Sequence, residues 1–267
     1  MRRHRRNERR AMDDWNARQY LKFEDERTRP PRDLLVQVPL QHPRLVVDLG
    51  CGPANSTGLL VERFPQSEVV GLDSSPDMLR EARRRLPQCG FVTADMTQWT
   101  PEPRTDLLFA NAAFQWVPDH QKVMRRLLEA LPAGGVLAAQ MPDNTREPAT
   151  MLQGEAAASG PWANDPAIKA APRADLPPPD AYYDLLKPVC TQIDIWHSVY
   201  NHVMASPQAI VEWFKGSSLR PYLSVLKGAA QEEFLAAYTE KIAAAYKPRF
   251  DGKVLLRFPR LFIVAVR

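Results

Sequence analysis

Residues 45–60 read LVVDLGCGPANSTGLL, and the change of character along that run decides the fold. Leu45, Val46 and Val47 form a short apolar, largely β-branched stretch, the mark of a strand buried on both faces. Gly50 and Gly52 end it. Without a Cβ, each lets the backbone turn tightly and lets a ligand approach closely. Asn55, Ser56 or Thr57 is then expected to cap a helix whose apolar positions include Leu59, Leu60 and Phe64. Strand, glycine turn and helix N-terminus together offer backbone N–H groups to a polar or anionic ligand.

The neighbouring motifs narrow the ligand. A dinucleotide fingerprint needs a third glycine where Asn55 stands, and a P-loop needs Gly-Lys-Ser/Thr at the helix start, which is absent. A second strand, EVVGLD, ends at Asp73, 21 residues beyond Gly52, where an acidic side chain accepts both hydroxyls of a ribose. A third, near Phe91 to Ala94, ends at Asp95-Met96. There a carboxylate suits an adenine amino group and a thioether suits the ring face. This set fits S-adenosylmethionine (SAM), which has no pyrophosphate to cradle.

VVDLGCGPANST, GLDSSPDML, the Asp95 segment and FANAAFQW resemble the successive motifs of Rossmann-like, SAM-dependent methyltransferases. YLKFEDERTRP, NAAFQWVPDH, MPDN, GPWA, AYYDLL, VEWFKGSSLRP and FPRLFIVA are similar to the trans-aconitate 2-methyltransferase family, from about Trp15 onward. The first set is specific only for cofactor; the second lies mostly outside the common core and is far more specific. The resemblance implies a class I fold, with a mostly parallel seven-stranded sheet, an antiparallel last strand and a helical cap. It implies cofactor contacts at Arg29, Gly50, Gly52, Asn55, Ser56, Asp73, Ser74, Met78, Asp95, Met96 and Asn111. Ala54 stands where the family usually has glycine; its methyl is expected to crowd the cofactor's amino-acid end, tolerably if φ stays negative.

Composition bounds the remainder. The 267 residues carry a formal charge of +4, yet residues 1–10 hold six arginines against one glutamate, so the rest sums to −1. Residues 1–11 (MRRHRRNERRA) are read as a disordered basic tail, with Met12 an alternative start. The competing reading, a nucleic-acid arm, lacks aromatics among the arginines. Three cysteines without CxxC spacing suggest a reducing compartment. No apolar run is long enough to span a membrane and no secretory signal is visible. A cytoplasmic protein, monomeric by default and without nucleic-acid or membrane partners, is the expectation.

Residues 12–267 are read as one methyltransferase domain. Asp13 or Asp14 caps a lid helix carrying Trp15 and Tyr20, and Thr28 precedes a second with Pro30 and Pro31 in its first turn, the pair spanning 12–40. From Leu45 to Pro142, strands centred on Val47, Val70, Val92, Leu108 and Leu137 alternate with helices, which implies parallel βαβ units. Proline-interrupted residues 143–190 and helical residues 204–250 are read as cap insertions. The strands at 190–203 and 254–266 flank the second insertion. Pro259 suits an edge or bulge.

Methyl transfer from a sulfonium is an in-line displacement that demands alignment and exclusion of water. A carboxylate acceptor, with a pKa of about 4, is already ionised at neutral pH and needs no base. The sequence offers no metal-ligand cluster, no Ser/His/Asp spacing and five scattered histidines. Asn111, Gln115 and Trp116 are expected in the cleft, Trp116 having a core position as its alternative. No Asn/Asp-Pro-Pro-aromatic tetrapeptide of DNA amino-methylation occurs. A tricarboxylate demands arginine forks, and KGSSLRPY supplies Lys215, Arg220 and Tyr222, with Tyr20 from the lid. Methylation of trans-aconitate is thus the implied activity; its alternatives are another small acid or metabolite, or a SAM-binding, RNA-associated role for the tail.

Overall fold

The computed structural model describes residues 24–267. The basic tail, the first lid helix and Tyr20 lie outside the described residues. In chain order the elements are α1 (Glu24–Val36), β1 (Leu45–Leu49), α2 (Asn55–Arg63), β2 (Glu68–Asp73), α3 (Pro76–Arg85), β3 (Gly90–Thr93), β4 (Thr105–Asn111), α4 (His120–Glu129), β5 (Val136–Pro142), α5 (Pro148–Ser159), α6 (Pro166–Lys169), α7 (Pro179–Leu186), β6 (Gln192–Met204), α8 (Pro207–Lys215), α9 (Arg220–Val225), α10 (Ala229–Ala245) and β7 (Val254–Val266). The strands make one sheet in the order β3-β2-β1-β4-β5-β7-β6. β1 to β5 run parallel, and β7 is antiparallel to both β5 and β6. The order reverses between β1 and β4, so a crevice opens at their C-terminal ends.

The strands alternate between two cores. Val46, Phe109, Ala138 and Phe262 pack under α1, α2, α8 and α10. Val47, Leu108, Leu137 and Ile263 pack under α4 and α7. Strands covered on both faces read as continuous apolar runs for this reason. Residues 143–190 therefore divide: α5 packs on α10, whereas α7 crosses the sheet to α4. Tyr238 and Tyr246 hold the start of α5, Tyr238 donating to Ala149 O at 2.8 Å and Tyr246 Oη accepting from Ala149 N–H at 3.1 Å.

Three local expectations need correction. Thr28 does not precede α1 but lies within it, because the helix already starts at Glu24, and Pro30 and Pro31 fall in its interior and not in its first turn. None of Asn55, Ser56 and Thr57 caps α2; Ala54 occupies that position with no side-chain bond. The hydroxyls of Ser56 and Thr57 turn inward to Asp48 instead. Ala54 also has a positive φ of 70°, and its methyl lines a different surface depression from the one the glycine loop borders. Strain, not crowding of the cofactor, is the cost of this alanine. Ala54→Gly should therefore stabilise the protein by about 0.5–1 kcal/mol, raising Tm by roughly 1–4 °C in a scanning calorimeter. An unchanged or lowered Tm would contradict the strain.

Pro259 sits where the sheet can spare its N–H. β5 pairs with β7 only from Arg260 to Val266, while β6 pairs along the whole of it. Residues 254–259 are thus an edge on the β5 side, and the Pro259 carbonyl there accepts from Asp143 N–H at 3.0 Å. Among the described residues no helix is long and apolar enough to cross a membrane.

Candidate active site

A cavity of about 310 Å³ lies at the C-terminal ends of β1, β2, β3 and β4. Gly50 and Gly52 take positive φ of 68° and 55°. The N–H groups of Gly50 and Cys51 both donate to Leu72 O, at 2.7 and 3.0 Å, and so pin the loop to β2. A Cβ on Gly50 would stand 2.5 Å from the Ala113 methyl, so glycine is required where the loop meets the end of β4. Asp73 closes the other side: Oδ2 accepts from Gly52 N–H at 2.9 Å and Oδ1 from Ser75 N–H at 2.8 Å. A carboxylate oxygen can accept more than one hydrogen bond, so these backbone bonds are compatible with a ligand hydroxyl at the same side chain. Asp95 Oδ1 accepts from Thr97 N–H at 2.8 Å, and Met78 and Met96 supply apolar walls.

Gly50, Gly52, Asn55, Ser56, Asp73, Ser74, Met78, Asp95, Met96 and Asn111 all line this cavity. Arg29 does not. It is exposed, pairs with Asp33 at 3.9 Å and lies over the Tyr200 ring. Two residues along a helix turn the side chain by about 200°, so Arg27 faces inward in its place.

Asp48, which sequence reasoning passed over, anchors the loop from below. It is fully buried, and Oδ2 accepts from Ser56 at 2.8 Å and Thr57 at 2.7 Å. Burial nevertheless wins over those bonds and pushes its pKa up to about 6. A carboxyl with a raised native pKa favours the fold while protonated and loses that contribution as pH rises through the native pKa. Unfolding free energy should thus fall by on the order of 3 kcal/mol between about pH 4 and pH 6 on account of Asp48. Denaturant titrations of the wild type and Asp48→Asn over that window would check it: the decline should be missing from the variant, and identical pH slopes would refute it.

A second cavity, of about 70 Å³, adjoins the first and shares Asn111, Ala112 and Trp116 with it. Trp116 is 37 % exposed on this common wall, so it is not a core aromatic. Gln115 also lines the second cavity, its Nε2 donating to Ala112 O at 2.5 Å. Three arginines and no carboxylate face it among the described residues. Buried Arg27 comes from α1, donates to Trp213 O at 3.0 Å and stacks over that indole. Half-buried Arg173 comes from the proline-rich insertion and donates to Pro142 O at 2.9 Å and Asn144 Oδ1 at 3.1 Å. Buried Arg260 comes from β7, donates to Gln140 Oε1 at 3.0 Å and lies over the Phe258 ring. His202, close by, is held neutral at pH 7: burial first, then the charges of Arg260, Arg29 and Arg27, push its pKa down to about 4.

The KGSSLRPY segment contributes differently from expectation. Ser217 and Ser218 line the cavity; Lys215, Arg220 and Tyr222 do not. Lys215 pairs with Glu212 at 2.6 Å. Leu219 is fully buried, which turns Arg220 away, and Tyr222 is buried against Phe234 with ring centroids 5.3 Å apart. His197 pairs with Asp143 at 2.9 Å and lines neither cavity.

Residues 46–135 match the family model described as a methyltransferase domain. Over 256 residues, 96 % of this chain, the sequence is 58 % identical to the whole of a trans-aconitate 2-methyltransferase of Rhodopseudomonas palustris. The chain belongs to the trans-aconitate 2-methyltransferase family. Within solved structures it is similar to the YcgJ protein of Bacillus subtilis (TM-score 0.58, 12 % identity, 90 % of this chain and 98 % of that one). It is also similar to Haemonchus contortus phosphoethanolamine N-methyltransferase 2 in complex with S-adenosyl-L-methionine (TM-score 0.52, 19 % identity, 90 % of this chain and 52 % of that one). Such distant likenesses show the fold alone.

Trans-aconitate 2-methyltransferases are SAM-dependent, and the first cavity fits that cofactor. The glycine cradle that a Cβ would fill, two strand-end carboxylates and two methionines are the donor set a sulfonium nucleoside requires. Most of the residues carrying that set stand at strand ends, where a sequence motif shows them; Met78 stands in the first turn of α3. Arg27, Arg173 and Arg260 were not legible in this way. For Arg260 and Gln140 a signal existed: polar side chains inside FPRLFIVAV and VLAAQMP need buried partners.

Proposed function

We propose that the protein methylates a carboxylate of trans-aconitate with SAM, giving the monomethyl ester and S-adenosylhomocysteine. The observation that carries this reading is the second cavity: three arginines, no carboxylate among the described residues of its lining, and a wall shared with the donor site. A small trianion has little apolar surface, so charge-assisted bonds to guanidinium forks must supply most of its binding. Three forks match three carboxylates. The relatives' name supplies the particular acid.

SAM, when bound, supplies an electrophilic methyl: a carboxylate lone pair bonds its carbon, the carbon–sulfur pair leaves with sulfur, and no proton moves. The protein's part is placement. The arginines orient the acceptor, Asn111, Ala112 and Trp116 border the line of transfer, and the residues of α8 and Trp116 exclude water. The acceptor is ionised without a base, so rate should be flat above pH 7. The test is an activity screen with labelled SAM against a panel of di- and tricarboxylates. Trans-aconitate should be the best acceptor, and transfer to none of them would refute the reading. The three cysteines, all free, support a reducing, cytoplasmic setting.

A further inference from the structure

Arg260, Gln140 and Asn111 form a polar row across three neighbouring strands. Arg260 Nη1 donates to Gln140 Oε1 at 3.0 Å, and Gln140 Nε2 donates to Asn111 Oδ1. Asn111 and Gln140 are direct register partners on β4 and β5. All three are buried, Gln140 completely. Nothing about a methyl donor requires a glutamine in the middle of β5.

The direction of this row is set by chemistry. A guanidinium only donates. Gln140 must therefore turn its oxygen to Arg260 and its nitrogen to Asn111. Asn111 must in turn offer its oxygen to Gln140, and Nδ2 is the polar atom it has left. Asn111 lies on the wall common to both cavities. The row thus converts a fixed charge in β7 into a fixed donor at the junction of the two sites.

We propose that Gln140 is a positioning residue which, by holding the Asn111 amide with Nδ2 toward the junction, selects an ionised carboxylate as methyl acceptor. This rests on the reading of the second cavity as the polycarboxylate site. A carboxylate only accepts hydrogen bonds, so it matches a presented N–H. An ammonium only donates, so it gains nothing from a presented N–H. Nδ2 binds the carboxylate oxygen that is not methylated, and the other oxygen keeps its lone pair for the methyl carbon.

The test compares Gln140→Glu with Gln140→Met. Glutamate keeps the shape but accepts on both oxygens, so the Asn111 amide turns over to donate to it and presents Oδ1 to the junction. Methionine merely releases the amide. We expect kcat with trans-aconitate to fall about 100-fold in Gln140→Glu and about 10-fold in Gln140→Met. S-adenosylhomocysteine affinity by calorimetry should stay within about threefold in both. A packing role predicts the opposite order, the isosteric variant being the milder, and that order would overturn the proposal. Neutralisation of Arg260 by the new carboxylate is separated by a double-mutant cycle: in an Asn111→Ala background, Gln140→Glu should cost no more than about threefold. A full additive loss there would overturn the relay.

A measurement on the wild type covers variants that fail to fold. With S-adenosylhomocysteine bound, the Asn111 side-chain amide NMR signals should shift on adding trans-aconitate; unchanged signals would overturn the proposal. If the wild type methylates no polycarboxylate, the functional reading fails. If it does so while the variants reverse in order, only the relay fails.

Discussion

Arg260→Met should lower kcat/KM for trans-aconitate by on the order of 2–4 kcal/mol, or about 30- to 900-fold, with S-adenosylhomocysteine affinity unchanged. The size follows from where Arg260 sits. It is 4 % exposed, lines the second cavity beside Arg27 and Arg173, and is held by Gln140. A buried fork facing an anion gives a charge-assisted pair that water cannot replace. Arg260→Lys keeps the charge but loses the planar fork and its bond to Gln140, so it should fall between wild type and methionine. Arg220→Ala is the contrasting case: outside the cavity lining, it should leave acceptor kinetics within about threefold. Steady-state kinetics on the three variants decides the matter. Unchanged kcat/KM in both Arg260 variants would remove this cavity as the acceptor site.

Asp73→Ala should weaken S-adenosylhomocysteine binding by about 1–3 kcal/mol, read by calorimetry. Asp73 acts twice. Its oxygens hold Gly52 N–H and Ser75 N–H and so shape the loop between β1 and α2 and the start of α3. Asp73 also lines the cavity that the glycine loop borders. Asp73→Asn should be nearly as harmful, because one of the two backbone N–H groups would then meet an amide N–H instead of an oxygen. Wild-type affinity in Asp73→Ala would mean that the ligand sits elsewhere.

The residues that line the first cavity were legible in the sequence because their signals are short. β1 ends in two glycines, β2 ends in Asp73 and β3 is followed by Asp95-Met96. In parallel βαβ units strand ends gather on one side of the sheet, so reading each end separately sufficed. Where a local reading failed, a tertiary contact that periodicity does not show intervened. Ser56 and Thr57 have the right chemistry to cap α2, yet Asp48 beneath them takes both hydroxyls. Ala54 was expected to be tolerable if its φ stayed negative, but it follows two residues after Gly52 in a loop pinned to β2 and takes +70°.

What the sequence by itself determined, then, is the alternation of strands and helices, the glycine loop, and the carboxylates at the strand ends, all matters of periodicity and of the residue that ends a run. Which arginines line the second cavity was decided only by tertiary structure. Lys215 and Arg220 stand in a stretch that reads as an anion pocket, but it brings only Ser217 and Ser218 to the cavity, while Leu219 and Tyr222 are buried in the core. The cavity takes its charge from α1, the proline-rich insertion and β7 instead. Arg27 reaches Trp213 across 186 residues of chain, and Arg260 reaches Gln140 across 120. No periodicity extends over such separations: the direction each guanidinium faces is set by how the cap, α1 and the antiparallel end of the sheet pack together.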